Sequence, residues 1–281
     1  MIIKNLVLSG GGIKGLAICG CLEYLQENTK ILNTVKNVYG SSIGAYIAYF
    51  ICLGIKPGNI AQIFEKVNLG NLQEFDIQLL LNEFGFDKGG KFANLLRATV
   101  VTQGYDPEMT FAELDKISKY KLYICGTNIT RSQPVNFSVE SHPNMKVKDA
   151  LRISGGYPIA FTPIKIDNEL YGDGAIMCPL ALDEIENLDE TLGIAIHKSG
   201  ELNNTNAIHS YLMSIISCII DSLTDKLIKR LKYVIVISYP LHAMEFDIDD
   251  NEKQKLRNNG EEMAEEWWKK IDGKKDNTAN T

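Results

Sequence analysis

The sequence predicts an α/β fold, with a mostly parallel sheet covered by helices on both faces. Short apolar runs alternate along the chain with segments of helical periodicity. The first two runs lead directly into glycine turns, which is the punctuation expected where a buried strand hands over to a helix. Apolar residues make up 45% of the 281 and charged residues 23%, ordinary proportions for a globular chain with a substantial core.

Each element follows from its local pattern. Ile2–Leu8 is an apolar run ending in Ser9-Gly10-Gly11-Gly12, a strand and a tight turn. Leu16, Cys19, Leu22 and Leu25 recur every three or four residues and predict a helix over Gly15–Asn28. Val35–Tyr39 predicts a second strand, and Ala45–Leu53 an apolar helix ended by Gly54 with Pro57 beyond. Residues 58–118 read as mostly helical, broken at Gly85, Gly89 and Gly90, and Gly85–Lys91 reads as a hinge for a lid. Thr110 and Glu113 have capping-box spacing. Leu122–Ile129 and Val135–Ser138 predict strands, and Val147–Ser154 a helix that Tyr157-Pro158 must end. Ile164–Ile166 and Glu169–Tyr171 flank Asp167-Asn168 as a hairpin. Thr191–His197 and Tyr233–Ser238 complete the strands.

Three C-terminal features have competing readings. His209–Lys232 is helical, apolar first and basic at its end, and is expected to pack on the core rather than enter a membrane interface. Trp267-Trp268 on the last helix is likewise expected to pack on the domain. Phe246–Glu252 is acidic but lacks the glycine and spacing of a calcium loop, so it reads as a solvated turn.

Charge and composition exclude several function classes. A net charge of −6 leaves no broad basic face for nucleic acid. The six cysteines are scattered, with no CxxC pair and no zinc spacing, which reads as free buried thiols in a reducing compartment and no metal site. No apolar run approaches the roughly 20 residues that span a bilayer. The N-terminus enters a strand without a basic leader. The expectation is a cytoplasmic protein with, at most, peripheral contact to membranes.

Three functions compete for the glycine cluster Gly10-Gly11-Gly12-Ile13-Lys14-Gly15. Gly10, Gly12 and Gly15 fit a dinucleotide fingerprint, but the second strand ends in Tyr39-Gly40-Ser41-Ser42, without the acid that would hold a ribose. A P-loop needs Gly-Lys-Ser/Thr, whereas Lys14 precedes Gly15 and Leu16 follows. The second strand instead ends in Gly40-Ser41-Ser42-Ile43-Gly44, a G-x-S-x-G nucleophile elbow that projects the middle serine at a helix N-terminus. With Ser42 as nucleophile, Gly10, Gly11 and Gly12 become oxyanion donors and Lys14 adds positive potential.

A serine nucleophile needs a base. Asp173, in Tyr171-Gly172-Asp173-Gly174-Ala175, is the strongest candidate, although Asp-Gly also simply makes turns. His197 follows a strand, and the order Ser42, Asp173, His197 matches the common hydrolase order. Spacing leaves the triad open.

Taken together, these motifs resemble the patatin-like phospholipases. SGGGIKGLAICGCLEYLQE resembles their oxyanion block and YGSSIGAYIAYFICLGIKP their elbow and following helix. TFAELDKISKYKLYICGTNIT and ALRISGGYPIAFTPIKIDNELYGDGA resemble their central and Asp-containing blocks. The likeness runs in order from about Ile3 to Pro179.

The resemblance implies a three-layer α/β/α fold and hydrolysis of fatty acyl esters of phospholipids or related lipids. Ser42 and Asp173 would form a catalytic dyad and Gly10–Gly12 the oxyanion loop, with no metal or other cofactor. Lys14, Gly15, Gly40, Gly44 and Gly174 would support the motifs, and His197 would be structural. The catalytic core would span 1–180, completed by 181–271, with 272–281 a disordered tail. The partner would be a membrane lipid or a lipid micelle. Two departures bear on substrate range: Ile153-Ser154-Gly155-Gly156 stands where small Ala/Ser residues are usual, and Ile176-Met177-Cys178-Pro179 is short and lacks an Asn. The alternatives are a soluble carboxylesterase or thioesterase of the same chemistry, and a weakly active lipid-binding regulator.

Overall fold

The computed structural model describes residues 1–66, 74–197, 208–242 and 244–278. Strand β1 (Asn5–Leu8) leads through the glycine loop and one 3-10 turn (Gly12–Lys14) into α1 (Gly15–Asn28). Strand β2 (Asn37–Ser41) turns directly into α2 (Ile43–Cys52), and α3 (Pro57–Lys66) follows. Next come α4 (Ile77–Glu83), β3 (Gly85–Asp87), α5 (Gly90–Thr102) and α6 (Phe111–Ile117), the last opened by the expected Thr110–Glu113 capping box. Strands β4 (Lys121–Asn128) and β5 (Gln133–Phe137) precede α7 (Val147–Ser154) and β6 (Ile159–Phe161). The hairpin of β7 (Ile164–Ile166) and β8 (Glu169–Asp173) turns at Asp167 and Asn168, both at the positive φ that a two-residue hairpin favours. Strand β9 (Thr191–Ile196), α8 (Ile208–Ile228), β10 (Tyr233–Ile237) and α9 (Asp250–Thr278) complete the chain.

Eight strands form one sheet, in which β10, β9, β1, β2 and β4 are parallel neighbours. Strand β4 is long enough to take two partners end to end. Its residues 121–125 pair with β2, and its residues 126–128 pair with the antiparallel β8. Strand β5 pairs with 124–128 throughout, so it fills the opposite edge and leaves β2 and β8 on the same one. They therefore run toward each other and meet where Ser41 faces Cys125 and Asp173 faces Gly126.

The three layers are written in the alternation of side chains. Leu6, Leu8, Val38, Leu122, Ile124, Leu192 and Ile194 join the larger core with α1, α2, α3, α7 and α9. Val7, Tyr39, Cys125 and Ala195 point the other way and meet Cys178–Leu182, Ile185, Leu227 and Leu231. Helices and ordered loops thus cover both faces, which is why the central strands lack a polar side.

Four sequence expectations change. Strands β3 and β6 form a separate two-stranded parallel sheet, too short to leave a periodic signal. The expected hinge at Gly85–Lys91 is β3 plus the start of α5, tied down because the Asp87 carboxylate accepts the Glu74 and Gly89 N–H groups. Helix α9 continues over Asp272–Thr278, most of the stretch read as a disordered tail; residues 279–281 lie outside the described residues. Polarity alone does not end a helix, and i,i+4 pairs of the Glu265–Lys269 kind support this one. Of the six free cysteines, five are buried and Cys218 is exposed.

The close approach of β1 to the elbow fixes the registry of the site. A Cβ on Gly44 would stand 2.4 Å from the Leu8 carbonyl oxygen and 2.6 Å from that of Ser9. Backbone cannot yield there cheaply, so Gly44→Ala should cost about 2–3 kcal/mol and lower Tm in a calorimetric scan. An unchanged Tm would contradict this packing.

Candidate active site

The elbow is a strained turn held from several sides. Ser42 adopts φ 52 and ψ −127, which a residue with a Cβ rarely does. Its N–H donates to Ser154 Oγ at 2.9 Å and its carbonyl accepts the Ala45 N–H at 2.9 Å. Gly40 and Gly44 sit at the two crowded corners: a Cβ on Gly40 would lie 2.4 Å from the Gly44 oxygen. Ser42 is also the N-cap residue of α2, where the helix dipole favours negative charge.

Asp173 ends β8 and has no exposed surface. Ser42 Oγ donates to its Oδ2 at 2.8 Å, and the Ala175 N–H donates to Oδ1 at 2.7 Å. Its backbone is pinned as well, because Thr127 Oγ1 donates to its carbonyl at 2.8 Å and its N–H donates to the Gly156 oxygen at 3.1 Å. Burial pushes the carboxyl up to about 7, against the opposing pull of the Ala175 and Ser42 hydrogen bonds. Gly174, next in the chain, packs on the Cys125 carbonyl.

The glycine loop lies against this pair. A Cβ on Gly10 would come within 3.1 Å of Ser42 Cβ and 3.2 Å of Ala175 Cβ. Ser9 Oγ holds the loop by donating to the Gly10 oxygen while accepting the Ile196 N–H. Gly11 packs on Ile196, Gly12 has φ 56, and Gly15 opens α1 against Ile43. Lys14 is completely buried beside them; burial lowers its ammonium to about 8, with Asp221 acting in the opposite direction.

Gly10, Gly11, Gly12 and Ser42 line a cavity whose empty space, with the open solvent at its mouth included, is about 1320 Å³. Its walls are largely apolar, with Phe50, Phe64, Phe92, Leu96 and Phe246 among them. Arg152 crosses one wall, donating through Nε to the Lys88 oxygen and through Nη2 to Thr162. The arrangement brings a hydroxyl, a carboxylate and a glycine loop to the head of an apolar channel. Those are the parts that acyl transfer requires: a nucleophile, a proton acceptor and backbone close to a developing oxyanion.

No histidine joins them among the described side chains. His197 pairs with Asp225 of α8, His242 contacts Ser217 Oγ, and His142 contacts Ser141 Oγ. Among the described residues no group of three His, Cys, Asp or Glu side chains is placed to hold a metal. No described helix is long and apolar enough to cross a membrane.

Comparison with known proteins decides the family. The patatin-like phospholipase family matches residues 6–183, which is more than half of the chain. The chain belongs to that family.

Relatives and solved structures agree. It is 28% identical over 272 residues to an uncharacterised mimivirus protein, R571, covering 90% of each. It is 28% identical over 186 residues to a probable lipid hydrolase, 463L, of Invertebrate iridescent virus 6, covering 64% of this chain and 62% of that one. In structure it is similar to VipD of Legionella pneumophila, with TM-score 0.67 at 17% identity over 95% of this chain and 67% of that one. ExoU of Pseudomonas aeruginosa, solved with SpcU, gives TM-score 0.51 at 18% identity; the match covers 95% of this chain and 51% of that one. At such identity these two show the three-layer fold. Family and viral relative together support lipid hydrolase activity.

Sequence reasoning missed three residues that shape the candidate site. Ser154 Oγ holds the elbow N–H from α7, 112 positions away. Thr127 anchors the Asp173 backbone from β4. Tyr46 lines the cavity where Gly155 gives way: a Cβ there would meet the Tyr46 ring at 2.9 Å. Gly155 in that departure therefore makes room for an aromatic ring.

The buried carboxyl makes a stability prediction. Asp173 in the fold titrates at about 7 against a reference of 3.8, so between those values the buried carboxyl keeps its proton while the unfolded chain ionises, and the wild type loses stability as pH rises. Asp173→Asn removes that titration and should gain stability relative to wild type progressively across pH 4 to 7, on the order of a few kcal/mol, with a plateau above. Denaturant titrations at several pH values read this directly, and a pH-independent difference would contradict it.

Proposed function

We propose that the protein is a lipid acyl hydrolase working through a Ser42–Asp173 dyad, of phospholipase A or lysophospholipase type. The observation that carries this is the 2.8 Å bond from Ser42 Oγ to a fully buried Asp173 carboxylate at the head of an apolar cavity. Ser42 Oγ attacks the ester carbonyl carbon while its proton passes to Asp173 Oδ2. The carbonyl oxygen becomes an oxyanion beside the Gly10–Gly12 loop, and the Lys14 ammonium adds positive potential. Collapse breaks the C–O bond, and the departing alcohol takes the proton from Asp173. Water then attacks the acyl-serine, its proton goes to Asp173 and on to Ser42 Oγ, and the fatty acid leaves. The acyl chain lies along Phe50, Phe64, Phe92 and Leu96.

The buried environment suits a carboxylate to work usually given to histidine. A base is most effective when its pKa lies near the working pH, and burial raises Asp173 to about 7. Lys14, at about 8, still carries charge there. The kcat/KM for lipid should therefore rise with pH through about 7, as Asp173 ionises, and fall above about 8 as Lys14 is neutralised.

The test is fatty-acid release from mixed phospholipid vesicles in EDTA, read by mass spectrometry. Ser42→Ala and Asp173→Asn should each lower the rate by about 10³-fold or more. Ser41→Ala, which removes a buried hydroxyl without a partner, should keep it. His197→Ala should largely spare it. Release unaffected by Ser42→Ala would refute the dyad, and release of acid from soluble esters alone would favour a soluble esterase.

A further inference from the structure

Thirteen large apolar side chains are exposed among the described residues, and eight fall into two groups. Phe75, Ile77, Leu81 and Phe84, on and around α4, are 62–76% exposed. Tyr211, Leu212, Ile215 and Ile219, spaced along one side of α8, are 38–59% exposed. Isolated exposed apolar residues need no explanation, but such clusters do.

Both groups hang on the small β3–β6 sheet. Helix α4 runs into β3, which pairs with β6 through Gly85–Ile159 and Asp87–Phe161. On the other flank, Met213 of α8 packs with Tyr157 and Phe161 around β6. The same small sheet and α8 build the cavity: Tyr157, Phe161, Ser217 and Ile220 line it. The outer apolar stripe of α8 is therefore one helix thickness from the proposed acyl channel.

Helix α4 is unusual in its own right. It buries none of its seven residues, so no core contact explains its apolar side chains. Phe84, its C-cap, holds a left-handed φ of 66, a place usually taken by Gly or Asn. The backbone thus adopts a costly conformation with an aromatic ring projecting into solvent. Phe75 is braced behind by stacking on the buried Phe86, with ring centroids 4.0 Å apart.

We propose that α4 and the outer face of α8 together form the surface by which this protein seats on a lipid bilayer. The inference rests on the lipid hydrolase reading, because what identifies a bilayer as the occupant is that α8, which carries the outer apolar stripe, also lines the apolar cavity of the proposed site through Ser217 and Ile220. Insertion is apolar rather than electrostatic. Glu74, Asp76 and Glu83 surround the α4 group beside Lys88 and Lys91, and Lys88 is paired with Glu83. The surface therefore offers no excess positive charge at α4 to attract anionic lipid.

The test is sedimentation of the full chain with phosphatidylcholine vesicles, alongside hydrolysis of a soluble short-chain ester. Wild type and Ser42→Ala should bind equally, and ~0.5 M NaCl should leave binding intact because screening does not act on apolar insertion. Leu81→Asp with Phe84→Asn, and separately Ile215→Asp with Ile219→Asp, should each weaken binding about tenfold or more while soluble ester turnover changes little. Phe84→Asn alone should keep or raise Tm, since Asn tolerates the left-handed region, and still weaken binding. Binding that is absent in wild type, abolished by salt or unchanged in both double variants would overturn the proposal. So would variants that only dissolve a dimer in analytical ultracentrifugation. Wild-type binding without lipid hydrolysis would support the surface and refute the hydrolase reading alone.

Discussion

Strand β4 presents one edge to two strands arriving from opposite directions. Strand β2 occupies that edge up to Cys125, and β8 takes it from Gly126 onward. Their C-terminal ends must therefore meet, which brings Ser42, the residue just after β2, beside Asp173, the last of β8. A strand rises about 3.3 Å per residue and alternates its side chains between faces, so a slip of one residue in either pairing would separate the two side chains or turn one away. The rest of the site is arranged around this meeting point. Ser154 holds the elbow from α7, Thr127 holds the Asp173 backbone from β4, and Gly10 brings the first loop against Ser42.

Two unfavourable features are concentrated there: a serine at positive φ and a carboxyl without solvent. Each is maintained by surroundings that are rigid for other reasons. The central strands are buried on both faces, and the elbow is wedged under the Leu8 and Ser9 carbonyls. In the proposed mechanism the same features are useful. Strain fixes the serine rotor next to its acceptor, and desolvation brings an aspartate close to neutral pH, where it can exchange protons with both an alcohol and water.

Much of this was legible before any coordinates. The glycine turns marked β1 and β2, the 3.6-residue period marked α1 and α7, and G-x-S-x-G marked the elbow, because in each case the signal is local. What escaped was non-local. That β8 shares an edge with β2 is a fact of pairing between residues 131 apart in the case of Ser42 and Asp173. From spacing, Asp-Gly looked like a turn, and a triad with His197 stayed open, whereas in the fold His197 pairs with Asp225. Strands β3 and β6, three residues each, were too short for periodicity to find. The polar C-terminal helix misled for the opposite reason, since composition speaks to burial and not to helix formation.

The central claim is that Ser42 is a nucleophile whose base is Asp173 rather than a histidine. It is tested most directly by reaction with a fluorophosphonate, which a nucleophilic serine attacks at phosphorus with loss of fluoride. Intact mass and peptide mapping locate the adduct and time its formation. The account predicts a single adduct on Ser42, formed faster as pH rises through about 7, much slower in Asp173→Asn and little changed in His197→Ala. An adduct on another residue, or labelling of Ser42 at an undiminished rate without the Asp173 carboxylate, would contradict it.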